Sequence, residues 1–228
     1  MRAKRARKPP ATAVEIPVEG IKLLMKKFLI ILLAVVIIGF GIYYIFSGSD
    51  SIKNYPPHEG PIVAFGDSLV AGVGSTDRND FVSILSGKIG EPIINLGVSG
   101  DTTRDGLARV GEAIDKHPRI VILLLGGNDY LKRIPREETF QNLRTLISRF
   151  HEDGAIVVLL GVRGGILIDH FDTDFENLAE ETGATYVPNV LDGLFRNKSL
   201  MTDEIHPNNN GYKFIAEKIY PVLAKVLR

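Results

Sequence analysis

Cysteine is absent from the 228 residues, and so is tryptophan. The first absence excludes disulfides, thiolate catalysis, a cysteine-based zinc site and a lipoprotein-type lipid anchor. The second removes the largest aromatic platform for stacking against sugar rings. Net charge is also zero, with 27 Lys and Arg against 27 Asp and Glu. That balance averages two unlike parts. Residues 1–27 carry eight basic side chains (Arg2, Lys4, Arg5, Arg7, Lys8, Lys22, Lys26 and Lys27) against Glu15 and Glu19, a net of +6. A neutral total leaves −6 for the remainder. An acidic main body argues against nucleic acid as a partner, because such binding depends on cationic contacts to phosphate.

What is present begins with one long apolar run. Phe28 to Phe46 is nineteen residues without a charge. As a helix it rises roughly 28 Å, close to the roughly 30 Å hydrocarbon thickness of a bilayer. Lys26 and Lys27 precede it, and Tyr43 and Tyr44 lie near its far end, where interfacial aromatics belong. The run predicts a transmembrane anchor over 28–46, with the positive flank in the cytoplasm and the rest of the chain outside. A cleaved signal ending near Ser47-Gly48-Ser49, followed by secretion, is the alternative, although its apolar core normally spans only about 7–15 residues. Residues 1–27 read as a basic leader attracted to a membrane surface. Met25-Lys26-Lys27 is a second candidate start. Residues 47–60 are polar, carry Pro56-Pro57, and read as a linker.

From residue 61 to residue 228, short apolar runs alternate with helical periodicity. Strands are expected at Ile62–Phe65, Pro92–Leu96, Ile120–Leu125, Ala155–Gly161 and Thr185–Val187. Helices are expected near Phe81–Ile89, Thr102–Lys116, Arg136–His151, Phe171–Thr182 and Asn209–Val226. Runs such as Ile120-Val121-Ile122-Leu123-Leu124-Leu125 imply burial on both faces, hence a parallel sheet covered by helices. Five alternations predict one three-layer αβα domain with a five-stranded parallel sheet. Right-handed crossovers then gather the loops after the strands at one edge, where ligands bind.

Chemistry-bearing residues fall in those loops. Ser68, in Gly66-Asp67-Ser68-Leu69, follows the first strand and is the candidate nucleophile. A serine hydroxyl is a weak nucleophile near neutral pH and needs a base. His206, in Asp203-Glu204-Ile205-His206-Pro207, supplies one. Asp203 is placed to hold the imidazole tautomer and stabilise the imidazolium. Acyl transfer also develops charge on an oxygen, which preorganised donors stabilise. Gly100 offers a backbone N–H, Asn128 a side-chain amide, and Ser68 its own N–H. Each block alone also reads as an ordinary turn, and Val70 breaks the G-x-S-x-G elbow. Asp67, Asp101 and Asp129 lack metal-ligand spacing, so no metal is expected.

Taken together and in order, these blocks resemble the GDSL or SGNH hydrolase family. The resemblance covers the chain from about Ile62 through the closing helix. It maps the nucleophile onto Ser68, the oxyanion glycine onto Gly100, the asparagine onto Asn128, and the acid and base onto Asp203 and His206. Ser99-Gly100-Asp101-Thr102-Thr103 with Gly106-Leu107-Ala108-Arg109 is similar to the branch of bacterial arylesterases, acyl-CoA thioesterases and lysophospholipases. It implies a flavodoxin-like sheet, no cofactor and an acyl-serine mechanism. That branch is typically secreted behind a cleaved signal, whereas this chain reads as tethered.

The expectation is therefore a membrane-tethered serine esterase acting on a small acyl ester or thioester. An O-acetylesterase for envelope carbohydrate is the alternative enzyme, and a non-catalytic membrane-anchored binding module the alternative from another class. Arg163–Asp169 and Leu191–Lys198 are expected to shape the pocket. Ile166, Leu167, Leu191, Leu194 and Phe195 are its candidate apolar lining.

Overall fold

The computed structural model describes residues 18–47, 52–162 and 171–228, with the backbone alone for Val18 and 40–47. The chain divides into two compact units, Met1–Ser49 and Asp50–Arg228.

The first unit holds α1, a 30-residue helix over Val18–Ser47. Its large apolar side chains stand exposed on every side from Leu23 to Ile38. The transmembrane span expected over 28–46 is not shown by the described residues. Among the described residues, no helix is long and apolar enough to cross a membrane. The reason is charge: every membrane-length stretch of α1 with described side chains takes in Lys22, Lys26 and Lys27.

The second unit is a doubly wound α/β domain. Its sheet is parallel throughout, in the order β2-β1-β3-β4-β5. The strands are β1 (Ile62–Gly66), β2 (Ile93–Gly97), β3 (Ile120–Leu124), β4 (Ile156–Leu160) and β5 (Thr185–Val187). The three central strands are buried at every residue, which is why they read as unbroken apolar runs rather than alternating ones. The helices are α2 (Ser68–Ala71), α3 (Phe81–Ile89), α4 (Thr103–Ile114), α5 (Gly127–Leu131), α6 (Arg136–Glu152), α7 (Phe171–Thr182) and α8 (Asn209–Val226), with a 3-10 turn at Lys198–Leu200. One face of the sheet carries α3 against α8, and the other carries α4, α6 and α7 in succession.

Local sequence sets the helix starts. Asp80 caps α3 through Ser83 N–H, and Thr102 with Asp105 forms a capping box on α4. The polar stretch before β1 is docked along the domain from residue 52. Lys53 N–H donates to Gly183 O, and Asn54 Nδ2 to the carbonyls of His151 and Ala155, each at 2.9 Å.

The strand order reverses between β1 and β3, so the loops leaving those two strands diverge and open a crevice at their carboxyl ends. Two glycines let the chain close around it. A Cβ on Gly66 would sit 2.1 Å from Leu124 O, and one on Gly97 would sit 2.1 Å from Ala71 N. The end of β1 and the end of β2 can therefore approach α2 and β3 only without side chains.

Candidate active site

The crevice begins where β1 stops. Asp67 is the N-cap of α2, its carboxylate accepting Leu69 N–H at 3.0 Å, and Ser68 is the first residue of that helix. Four residues cannot sustain a helix alone, because nucleation costs more than one turn returns. Neighbours hold it instead: Asn95 Nδ2 donates to Val70 O and Tyr212 Oη to Val73 O, each at 2.7 Å. Ser68 is thus set at the lip of the sheet, 8% exposed.

His206 arrives from 138 residues away, with Nε2 3.2 Å from Ser68 Oγ and Nδ1 2.8 Å from Asp203 Oδ2. A carboxylate can only accept, so Nδ1 carries the hydrogen and the neutral ring presents Nε2 as an acceptor to the serine. Asp203 is fixed in turn by the amides of Ile205 at 2.9 Å and His206 at 2.7 Å. The imidazole hydrogen bond first, then those amides, hold its carboxyl down at about 2. It is ionised near neutral pH.

The loop bearing this pair is closed on itself. Met201 and Pro207 form an antiparallel bridge, and Thr202 N–H donates to His206 O at 2.8 Å. Thr202 Oγ1 also donates to Gly74 O at 2.8 Å, tying the loop to the segment after the nucleophile. Gly74 has φ +94°, and a Cβ there would meet Pro207 O at 2.5 Å and His206 Cβ at 3.2 Å. The sequence reading passed over Gly74; its signal was only a V-G-S turn six residues after the serine.

Asn128, in the first turn of α5, spends one amide hydrogen on Asp101 O at 2.9 Å and keeps the other free for a second acceptor. Gly100, one residue earlier on that loop, adopts φ +86° and has open space where a side chain would be. Its carbonyl accepts Lys132 Nζ at 2.8 Å.

Ser68, Asn128, Asp203 and His206 all line one cavity of about 700 Å³, while Gly100 lies outside its lining. Leu191 and Phe195 line it as expected, joined by Leu69, Leu131, Val162, Met201 and Ile205. Leu194 instead is buried in the core, and Ile166 and Leu167 lie outside the described residues.

Three supporting residues escaped the sequence reading as site components. Arg109 donates through Nε to Asp101 Oδ2 at 2.6 Å and through Nη2 to Gly66 O at 2.9 Å, with its guanidinium over the Phe65 ring. Asp129 is fully buried and accepts Thr103 N–H at 2.9 Å together with the hydroxyls of Thr103 and Thr139. Asp67, 2% exposed, has its carboxyl raised to about 7, chiefly by burial and further by Asp101 and Asp129, against the opposing Leu69 amide. Among the described residues, no cluster of three or more His, Cys, Asp or Glu is arranged to hold a metal.

These features coincide with clear relationships. A sequence profile of the GDSL-like Lipase/Acylhydrolase family matches residues 64–214. An arylesterase of Vibrio mimicus is 32% identical over 178 residues, 73% of this chain and 89% of that protein. The "Thioesterase 1/protease 1/lysophospholipase L1" of Escherichia coli K12 is 30% identical over 165 residues, 68% of this chain and 79% of that one. A crystal structure of TesA superposes with a TM-score of 0.69 at 28% identity, covering 73% of this chain and 99% of that one. With the matched span running from the middle of β1 into α8 and taking in every block of the crevice, the chain belongs to the GDSL-like lipase/acylhydrolase family.

Proposed function

We propose that Ser68 is the nucleophile of this serine ester or thioester hydrolase, with His206 as its general base and Asp203 as the partner that orients His206. The observation that carries the assignment is the continuous hydrogen-bonded chain from Ser68 Oγ through His206 to Asp203, opening on a cavity that also exposes Asn128. Ser68 Oγ attacks the acyl carbon as its proton passes to His206 Nε2. The tetrahedral oxyanion is held by the amides of Ser68 and Gly100 and by the uncommitted hydrogen of Asn128. Collapse expels the alcohol or thiol, which takes the proton from His206. Water activated by the same imidazole then attacks the acyl-serine and releases the acid.

The apolar lining favours substrates with apolar acyl chains, because Leu131, Val162, Leu191, Phe195 and Met201 offer methylenes a dry surface and sugars little to bond. We further propose that α1 holds the domain at the outer face of a membrane. Sequence and exposure support this: the run 28–46 carries no charge, and Phe28 and Ile31 are 67% and 63% exposed.

Four outcomes are expected. Ser68→Ala removes covalent labelling by a fluorophosphonate probe and lowers turnover by several orders of magnitude; labelling that persists in this variant overturns the nucleophile assignment. Asn128→Ala lowers turnover about 10²–10³-fold while a ground-state analogue binds nearly as before, since the donor matters most when charge develops. Equal losses in both measurements would make Asn128 a structural residue. Across p-nitrophenyl esters from acetate to decanoate, specificity rises roughly threefold to fourfold per methylene until the cavity is filled, as about 0.8 kcal/mol per buried methylene requires. A sharp optimum at acetate, with preference for an acetylated glycan, defeats the acyl-chain reading. Finally, the full chain sediments with membranes after an alkaline wash whereas a chain beginning at Ser51 stays in solution; recovery of the full chain in the soluble fraction defeats the anchor.

A further inference from the structure

Four large apolar side chains stand exposed on segments that border the crevice: Val98 at 44%, Tyr130 at 39%, Leu131 at 55% and Ile205 at 41%, of which Leu131 and Ile205 line the cavity and Tyr130 also packs edge-on against Phe171. Among the described residues of the second unit, Tyr55 is the one other large apolar side chain so exposed. The other large apolar side chains described in this unit are buried or partly buried, so the most exposed ones are concentrated rather than scattered. The four come from three separate segments: the loop after β2, the end of α5, and the loop that carries His206. Leu131 and Ile205 are at once exposed and part of the cavity lining, so the apolar rim runs without a break into the pocket. The bond from Lys132 Nζ to Gly100 O closes the gap between the Tyr130–Leu131 and Val98 segments.

Charge around this rim departs from that of the domain. Residues 28–228 carry a net charge of −6, yet Lys132, Arg133 and Lys198 are all exposed beside the mouth. Glu204 and Asp105 oppose them, while Asp203 is committed to His206. Exposed cations set beside exposed apolar side chains match a surface with negative headgroups over a hydrocarbon layer. Binding of that kind scales with buried apolar area plus attraction to anionic lipid.

We propose that this rim is a docking surface for an anionic lipid bilayer, through which an acyl chain passes from the bilayer into the cavity without crossing water. The proposal rests on the ester-hydrolase reading of the Ser68 site and adds where its substrate comes from. Docking needs no contribution from α1, which affects retention near the membrane equally in every variant.

The test compares two substrates on one preparation: the full chain mixed with phosphatidylcholine vesicles, with or without phosphatidylglycerol. One substrate is dissolved p-nitrophenyl butyrate; the other is a long-chain acyl ester embedded in the vesicles. Val98→Glu and Arg133→Glu lie outside the cavity lining. Both are expected to leave turnover of the dissolved ester within about twofold, and to lower turnover of the embedded ester on the order of tenfold. The Arg133→Glu loss should shrink when phosphatidylglycerol is omitted. Variants that match the parent on the embedded ester overturn the docking surface. So do variants that lose both activities equally, or that change only the oligomeric state, which would mark the rim as a contact between copies. A parent inactive on the dissolved ester would instead count against the hydrolytic site itself, so the two failures are distinct.

Discussion

Arg109 joins the parts of the crevice that the sheet would otherwise leave separate. Its guanidinium reaches Gly66 O at the end of β1 and the Asp101 carboxylate in the loop after β2, and the carbonyl of that same Asp101 receives the Asn128 amide. One side chain thereby relates the segment before the nucleophile, the Gly100 loop and the α5 turn. Its Nη1 atom is buried without a hydrogen bond and lies 3.8 Å from Glu112. A buried cation with an unfilled donor is a poor source of net stability, since desolvation offsets much of the attraction to its partner. Its value lies in geometry. Acyl transfer is sensitive to donor placement on the scale of an ångström, and a short ion pair fixes a loop more tightly than apolar packing does.

Asp129 does for the far side of the crevice what Arg109 does for the near side. It accepts from the backbone and hydroxyl of Thr103 at the start of α4 and from Thr139 in α6. Full burial is tolerable because three donors converge on it. The turn that carries Asn128 is thereby attached to two helices of the layer behind it, and neighbouring Asn128 inherits that rigidity. Tyr212 performs the corresponding task from the opposite layer, bonding Val73 O beneath the nucleophile turn.

The strands and the five long helices were legible because each depends on a local pattern. β3 and β4 are unbroken apolar runs, and α3 and α7 begin and end at the residues their periodicity marks. The candidate site loops were legible because Ser68 and Asn128 follow apolar strands, His206 precedes the last helix, and their blocks occur in the order of a known family. What remained hidden depends on distant partners. α2 and α5 are four and five residues long, too short for any period to register. Asn95 reads as a polar interruption of a strand until its bond to Val70 O is seen. Gly74 becomes necessary only once the His206 loop passes over it. Leu194 carries the same apolar signal as Leu191 and Phe195, yet it points into the core, which no pattern in a loop can indicate.

Carboxylates at the catalytic edge show how one side-chain type is given opposite electrostatic states. Asp203 is half exposed and receives an imidazole N–H and two backbone amides, so its anion is stabilised and its carboxyl falls to about 2. Asp67 is nearly sealed from water and lies within the field of Asp101 and Asp129, so its carboxyl rises to about 7 despite the Leu69 amide and its own. The difference matters at Ser68, which stands between them in the chemistry. In the proposed mechanism, the serine proton moves to His206 and the new positive charge forms beside Asp203, whose negative charge is already in place and needs no reorganisation. A second full anion at Asp67, which lines the same cavity, would oppose the build-up of negative charge in that step. Burial of Asp67 disfavours that anion, while its carboxyl oxygen still caps the helix that presents the nucleophile.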